Sequence, residues 1–247
     1  MKILVTNDDG VFAPGIAYLS KALEEAGYEV VVFAPHIENS GKSHAITLRE
    51  PMLIKEEKIE GLRAKVYSVT GTPVDCVRIA HQVCKDKIDL VFSGCNLGYN
   101  AGMDILYSGT VSAAIEANLF GVSGLALSAK SVNAKAYFET AVKFGLEVLK
   151  EEEDFLKNNV SVLNINVPFL PTSEIKGKKY CKVAKDALDD YEMIQKDNCI
   201  SLELKGRAKK DLEEDTDRAY LEKGYVTITP LIHDLTNKKL IKELQDK

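Results

Sequence analysis

The sequence predicts an α/β fold built on a mainly parallel sheet, and three observations carry that prediction. An apolar run, Ile3 to Val5, ends in Asn7, Asp8, Asp9 and Gly10, and a helical pattern and a second apolar run follow within about 35 residues. Strand, helix and strand at that spacing make a βαβ unit, whose strands run parallel with a right-handed crossover. The same alternation recurs further on, with apolar runs at residues 89–93, 122–128 and 160–167 separated by helical stretches. After Pro168 the rhythm stops, and residues 169–215 carry a dense acidic-basic mixture. The chain therefore divides into a core, residues 1–168, and a smaller, mostly antiparallel appendage, residues 169–247, part of which packs back on the core.

In chain order, the first strand is Ile3 to Val5, apolar on both faces as buried parallel strands are. Ile16, Leu19, Leu23 and Ala26 share one face of a helix that stops at Gly27. Tyr28 to Ala34 is the second strand, closed by Pro35. Leu48 to Ile54 and Leu62 to Val69 are extended, with a polar turn at Glu56 to Gly61, and predict a hairpin at the sheet edge. Thr72 as N-cap, Pro73 in first position and Asp75 three past the cap start a helix that runs to Cys84. Asp89 to Ser93 is a buried strand that empties into a glycine-rich loop, residues 94–104, where backbone can approach a ligand closely. Ser108 and Thr110 open a helix to Gly121. Val122 to Ser128 is a strand, Ala134 to Glu153 a long helix, and Val160 to Val167 a strand of alternating polarity. In the appendage Lys179 to Ala184, Cys199 to Leu204 and Tyr225 to Thr229 read as strands, and Leu235 to Leu244 as a closing amphipathic helix.

Composition narrows the function. The chain has 247 residues, 45% hydrophobic and 28% charged, which is ordinary for a globular protein with an ample core. A formal net charge of -5 and a pI near 5.5 argue against a DNA-binding protein; the basic cluster Arg207, Ala208, Lys209 and Lys210 is short and lies beside an acidic run. No apolar run approaches the ~20 residues that cross a bilayer, and Met1-Lys2 leads straight into a strand with no leader peptide. Five widely spaced cysteines without a C-x-x-C predict free thiols in a reducing cytoplasm and no zinc site. The acidic run Glu213, Glu214, Asp215 and Asp217 reads as a solvated face.

Asn, Asp and Gly are common turn residues and Asp caps helices, so the first loop alone is a weak signal. Ligands of open α/β sheets nevertheless bind past the carboxyl ends of the strands, and two adjacent carboxylates repel unless a cation lies between them. Three loops leave that edge, carrying Asp8 and Asp9, then Ser40, then Asn96. All four are hard oxygen donors, suited to magnesium, manganese or calcium. The helix start at Ser108, Gly109 and Thr110 adds an anion-binding terminus. A divalent ion beside such a terminus is a layout for phosphoryl chemistry.

The motifs T-N-D-D-G, N-S-G-K-S-H-A-I-T, T-G-T-P-V-D-C-V, S-G-C-N-L-G-Y-N-A-G, Y-S-G-T-V-S-A-A-I-E-A, L-N-I-N-V-P and G-Y-V-T-I-T-P-L, in this order from residue 6 to residue 231, resemble the SurE family of nucleoside-monophosphate phosphatases. The resemblance implies a three-layer Rossmann-like core and a C-terminal part used in oligomerisation, with homodimers or homotetramers that exchange C-terminal elements. It implies one divalent cation per subunit, magnesium or manganese, with calcium able to replace them in crystals. It puts the metal on Asp8, Asp9, Ser40 and Asn96, catalysis on Asp8, Asp9 and Asn96, and the phosphate near Ser108, Gly109 and Thr110. Asn100, Ser43 and His44 are candidate substrate contacts, His44 also as the acid for the leaving group. The expected reaction is hydrolysis of nucleoside 5'-monophosphates, or 3'-monophosphates, with no DNA or membrane partner. Two departures from the family pattern, Asn39 and Leu97, remove positive charge near the substrate.

Rival readings fit less well. A signalling receiver domain needs a phospho-accepting Asp at the third strand end, where this chain has Ser93-Gly94. An aspartyl-phosphate phosphatase needs D-x-D after the first strand, where this chain has D-D. A non-catalytic nucleotide-binding module differs from an enzyme only by phosphate release.

Overall fold

A computed structural model of the chain describes residues 1–196, 198–207 and 213–246. Ala208, Lys209 and Lys210 of the basic cluster lie outside the described residues. The core opens with β1 (Lys2–Thr6), α1 (Pro14–Glu25), β2 (Glu29–Pro35), β3 (Ile54–Glu57), β4 (Lys65–Val69) and α2 (Pro73–Val83). It continues with β5 (Leu90–Leu97), α3 (Gly109–Leu119), β6 (Ser123–Ala129), α4 (Phe138–Asn158) and β7 (Val162–Val167). The C-terminal part adds β8 (Lys178–Tyr180), β9 (Asp190–Lys196), β10 (Cys199–Gly206), α5 (Asp217–Glu222), β11 (Val226–Leu231) and α6 (Lys238–Gln245).

Nine strands form one sheet in the order β3-β4-β2-β1-β5-β6-β7-β11-β8. The six strands from β4 to β7 run parallel, β3 is antiparallel to β4, and β11 is antiparallel to β7. Side-chain alternation along β1 divides the core in two. Ile3 and Val5 face a cluster containing Ile16, Leu19 and Leu23 of α1 and Val148 and Leu149 of α4. Leu4 faces the opposite cluster, with Val77 and Ala80 of α2 and Ala113 and Ala117 of α3. Helices thus cover both faces, in three layers. The chain winds outward from β1 through β2 to β4 and returns to pair β5 against the other side of β1. The crevice between the ends of β1 and β5 is the switch point at which doubly wound sheets bind ligands.

Several expected boundaries move. The edge hairpin exists, but its first strand, Ile54–Glu57, begins at the end of the expected extended segment and runs into the expected turn; residues 48–53, interrupted by Pro51, are irregular. Helix α4 starts at Phe138 because Asn133 and Ala134 have positive φ, 52° and 58°, and Val132 and Lys135 close a bridge. Strand β5 continues through the expected loop to Leu97, with a register shift between Ser93 and Asn96 that keeps Asn96 paired with Ser128 of β6. Strand β7 is buried on both faces, including Asn164 and Asn166, so its alternation does not mark a wet side. In the C-terminal part β8 and β11 extend the main sheet, and the separate antiparallel piece is the hairpin of β9 and β10. No described helix is long and apolar enough to cross a membrane.

Candidate active site

The site is built outward from Asp8. β1 delivers Asn7, Asp8 and Asp9 to the sheet's carboxyl edge, and the turn that follows is closed by Asn7 Nδ2 donating to Gly10 O (2.8 Å) and Ala13 N to Gly10 O (3.1 Å). Asp8 is buried, 3% exposed. Thr110 Oγ1 donates to Asp8 Oδ1 at 2.5 Å and Thr110 N–H donates to Asp8 Oδ2 at 3.2 Å. The anion at the start of α3 is therefore the protein's own carboxylate. Gly109 makes this approach possible: a Cβ there would stand 2.9 Å from the Asp8 Cβ and 3.1 Å from Pro73 Cγ. Ser108, expected near phosphate, caps the helix through Val111 N–H (3.1 Å). Burial pushes the Asp8 carboxyl up, against the lowering effect of the Thr110 and Gly109 donors.

Asp9 sits beside it, half-buried, with Leu97 N–H donating to its Oδ2 at 3.1 Å. Burial, then the Asp8 charge, push its carboxyl up to about 6; Glu38 adds to the rise, and the Leu97 amide opposes it. Among the described residues no Lys, Arg or His forms an ion pair with Asp8 or Asp9. Asn96, at the end of β5, donates its amide N–H to Gly98 O at 2.9 Å, which leaves its amide oxygen as the group available to a ligand. The loop after β2 is tied to the first strand's end by Asn39 N–H donating to Asp8 O at 2.7 Å. Ser40, the next residue, is exposed and donates its hydroxyl to Glu38 Oε1 at 2.8 Å, so its oxygen lone pairs remain free.

This donor set fits a hard divalent cation: two adjacent carboxylates of raised pKa, an amide oxygen and a hydroxyl oxygen, without sulfur or imidazole. Among the described residues no three His, Cys, Asp or Glu side chains gather as a metal-holding group.

The three residues named for substrate contact have partners within the protein. Ser43 donates its N–H to Tyr107 O (3.0 Å) and its hydroxyl to Leu106 O (2.6 Å), and takes φ 57° to do so. His44 Nε2 meets Glu116 Oε2 at 2.7 Å, and Arg78 Nη1 donates to Glu116 Oε1 at 2.8 Å. Asn100 is buried: its Nδ2 donates to Ser128 Oγ (2.9 Å), and its carbonyl accepts from Asn164 Nδ2 (2.7 Å) and Asn166 Nδ2 (3.0 Å). The sequence reading did not single out Glu116, 1% exposed in the middle of α3. The available signal was one charge in the otherwise apolar run A-A-I-E-A. It also treated Asp217 as solvated, whereas Asp217 is 0% exposed.

The family model described as "Survival protein SurE" matches residues 3–190. A Clostridium tetani protein named "5'-nucleotidase SurE" is 44% identical over 249 residues, covering 100% of this chain and 99% of that protein. A Clostridium botulinum protein of the same name (strain ATCC 19397 / Type A) is 43% identical over 250 residues, covering 99% and 98%. The crystal structure of the SurE protein from Aquifex aeolicus superposes with a TM-score of 0.83 at 35% identity, covering 100% of this chain and 99% of that one.

Proposed function

Because this chain belongs to the SurE family, we propose that it is a metal-dependent phosphomonoesterase that hydrolyses nucleoside 5'-monophosphates, and 3'-monophosphates as a second class, to nucleoside and phosphate. The observation that carries the reading is the Asp8–Asp9 pair: two adjacent, largely buried carboxylates at the switch point, held by Thr110 and Leu97 donors and lacking a Lys, Arg or His partner among the described residues. In this reading Asp8, Asp9, Ser40 and Asn96 hold one magnesium or manganese ion.

A divalent ion in that cage supplies Lewis-acid polarisation of a phosphate oxygen and lowers the pKa of a bound water. Asp8 is the fixed ligand, since Thr110 holds both its oxygens. Asp9 orients the attacking water and takes its proton. Asn96 would offer its amide oxygen to the ion, since its N–H is committed to Gly98. The positive end of the α3 dipole, at Ser108 and Gly109, stabilises the equatorial charge of the phosphoryl group. His44, bound to Glu116, is better described as an anchor for its loop than as the leaving-group acid.

Self-association is part of the proposal. In the β9–β10 hairpin Tyr191 pairs with Leu204 and Met193 with Leu202. These four side chains share one face of the ribbon, and all are exposed. A lone two-stranded ribbon is marginal in water, and an apolar face of this kind suits a second copy of the chain as a dimer or tetramer. Light scattering on the purified chain tests it, a monomer contradicting it.

A panel of nucleoside 5'- and 3'-monophosphates, assayed for phosphate release with magnesium, manganese or EDTA, tests the enzyme reading. Metal-dependent release supports it; nucleotide binding without release supports the binding-module alternative.

A further inference from the structure

We propose that Asp217 and Arg218 are positioning residues of the hydrolytic site: they fix the segment that carries Asn96 at one end and Ser108 at the other. The proposal rests on the phosphatase reading above. Residues 98–101 are irregular and lead into a short 3-10 turn at Gly102–Leu106. Such a segment must find partners for its backbone groups outside itself. It finds them on two sides.

From the sheet, Ala129 O accepts from Gly98 N–H (2.8 Å), Asn166 Oδ1 accepts from Asn100 N–H (2.9 Å), and Asn164 and Asn166 donate to Asn100 O. From the C-terminal part, Asp217 Oδ2 accepts from Gly102 N–H at 2.8 Å while its Oδ1 accepts from Ala184 N–H at 3.0 Å. Arg218 Nη2 donates to Ala101 O and to Asp104 Oδ2, each at 2.5 Å, and Asp186 O accepts from Met103 N–H at 2.9 Å. Arg207 pairs with Asp104 and Asp186, and Arg218 Nε lies 3.2 Å from Asp186 Oδ2. Four consecutive residues, 100 to 103, are thus each held through the backbone by partners distant in the chain.

The chemistry of the clamp points to positioning. A partly buried cluster of two arginines and two aspartates carries a desolvation cost, and well-packed apolar side chains often stabilise a fold as well or better. Apolar side chains cannot fix a carbonyl and the next N–H at the same time. Asp217 and Arg218 do that for Ala101 and Gly102, five and six residues beyond Asn96. Asn96 Nδ2 in turn rests on Gly98 O within the same segment. Groups bonded directly to metal ligands change metal affinity by about 10- to 100-fold when removed; Asp217 and Arg218 act one step further out, through the segment that carries Asn96.

The test uses the full-length protein with manganese alone as probe. Asp217→Asn, Arg218→Lys and Arg218→Ala are compared with Val226→Ala, a cavity in the buried strand β11 that lowers stability and removes none of the clamp's hydrogen bonds. Calorimetric titration, run well below each variant's melting temperature, is expected to show manganese binding weakened, by up to about tenfold, in the clamp variants and unchanged in Val226→Ala. Added guanidinium is expected to restore part of the phosphate release lost in Arg218→Ala. Clamp variants that lose melting temperature but keep wild-type manganese affinity and turnover would overturn the proposal, as would equal weakening in Val226→Ala. If the wild-type protein itself neither binds manganese nor releases phosphate, the phosphatase reading fails first and the proposal falls with it.

Discussion

Thr110 grips both oxygens of Asp8, one through its hydroxyl at 2.5 Å and the other through its backbone N–H at 3.2 Å. A residue expected near the substrate phosphate thus also holds the neighbouring carboxylate. Thr110→Val keeps the shape and the backbone bond and removes one donor from a buried charge, an interaction worth about 1.5–3 kcal/mol. Stability should fall by that order, and the Asp8 carboxyl, already pushed up by burial, should rise further. Manganese affinity at neutral pH then drops, and Thr110→Ser recovers most of it. Denaturant unfolding and metal titration check both effects.

Asp9 gives opposite signs for stability and function. Its folded carboxyl stands at about 6 against an ordinary 3.8, so between those values the native state holds the extra proton. Stability therefore declines as pH rises through this window, and above it the folded state carries the full cost of the buried charge. Asp9→Asn removes that cost. In metal-free protein it should raise the melting temperature at pH 8 and change little below about pH 4, while metal-dependent phosphate release is lost. A melting-temperature series against pH measures this.

Gly109→Ala tests the close approach. Helix propensity alone favours alanine, by less at this first helical position than the ~1 kcal/mol of a helix interior, but the new Cβ would stand 2.9 Å from the Asp8 Cβ. Asp8 must shift, and metal binding should weaken by an order of magnitude or more even where the melting temperature holds. Unchanged affinity would show that Asp8 tolerates displacement.

The strand and the helix caps around Asp8 are legible in the sequence because that part is local chemistry. The apolar run before Asp8, the Thr72 cap with Pro73 and Asp75, and the Ser108 cap all appear in the structure where their spacing put them. What stayed hidden depends on distant partners. Glu116 looks like a charge on a helix until His44 and Arg78 close on it, and Asp217 looks solvated until Gly102 and Ala184 come to it. Asn164 and Asn166 imitate the wet face of a strand because their partner, Asn100, lies about 65 positions earlier. The sequence marks neither β9 nor the place of β11 beside β7, because pairing across a sheet leaves no local signature.

Glu116 anchors the loop that carries Ser40. Burial pushes its carboxyl up, but the His44 and Arg78 bonds outweigh that and hold it below the ordinary range. Its stabilising contribution is therefore present above the ordinary carboxylate pKa and is lost as pH falls through the lowered folded value. Glu116→Gln should cost about 1–3 kcal/mol at neutral pH, and the gap from wild type should narrow in acid. Urea unfolding at several pH values, with limited proteolysis of the loop between β2 and β3, checks it.

The central claim is that Asp8 and Asp9 hold a divalent ion that is required for phosphoester hydrolysis. Its most direct measurement is phosphate release from AMP by protein stripped with EDTA and then titrated with manganese, wild type beside Asp9→Asn. Release that rises with manganese in the wild type and stays at background in Asp9→Asn is the expected result. Release that persists in EDTA, or that Asp9→Asn sustains at the wild-type rate, would contradict the account.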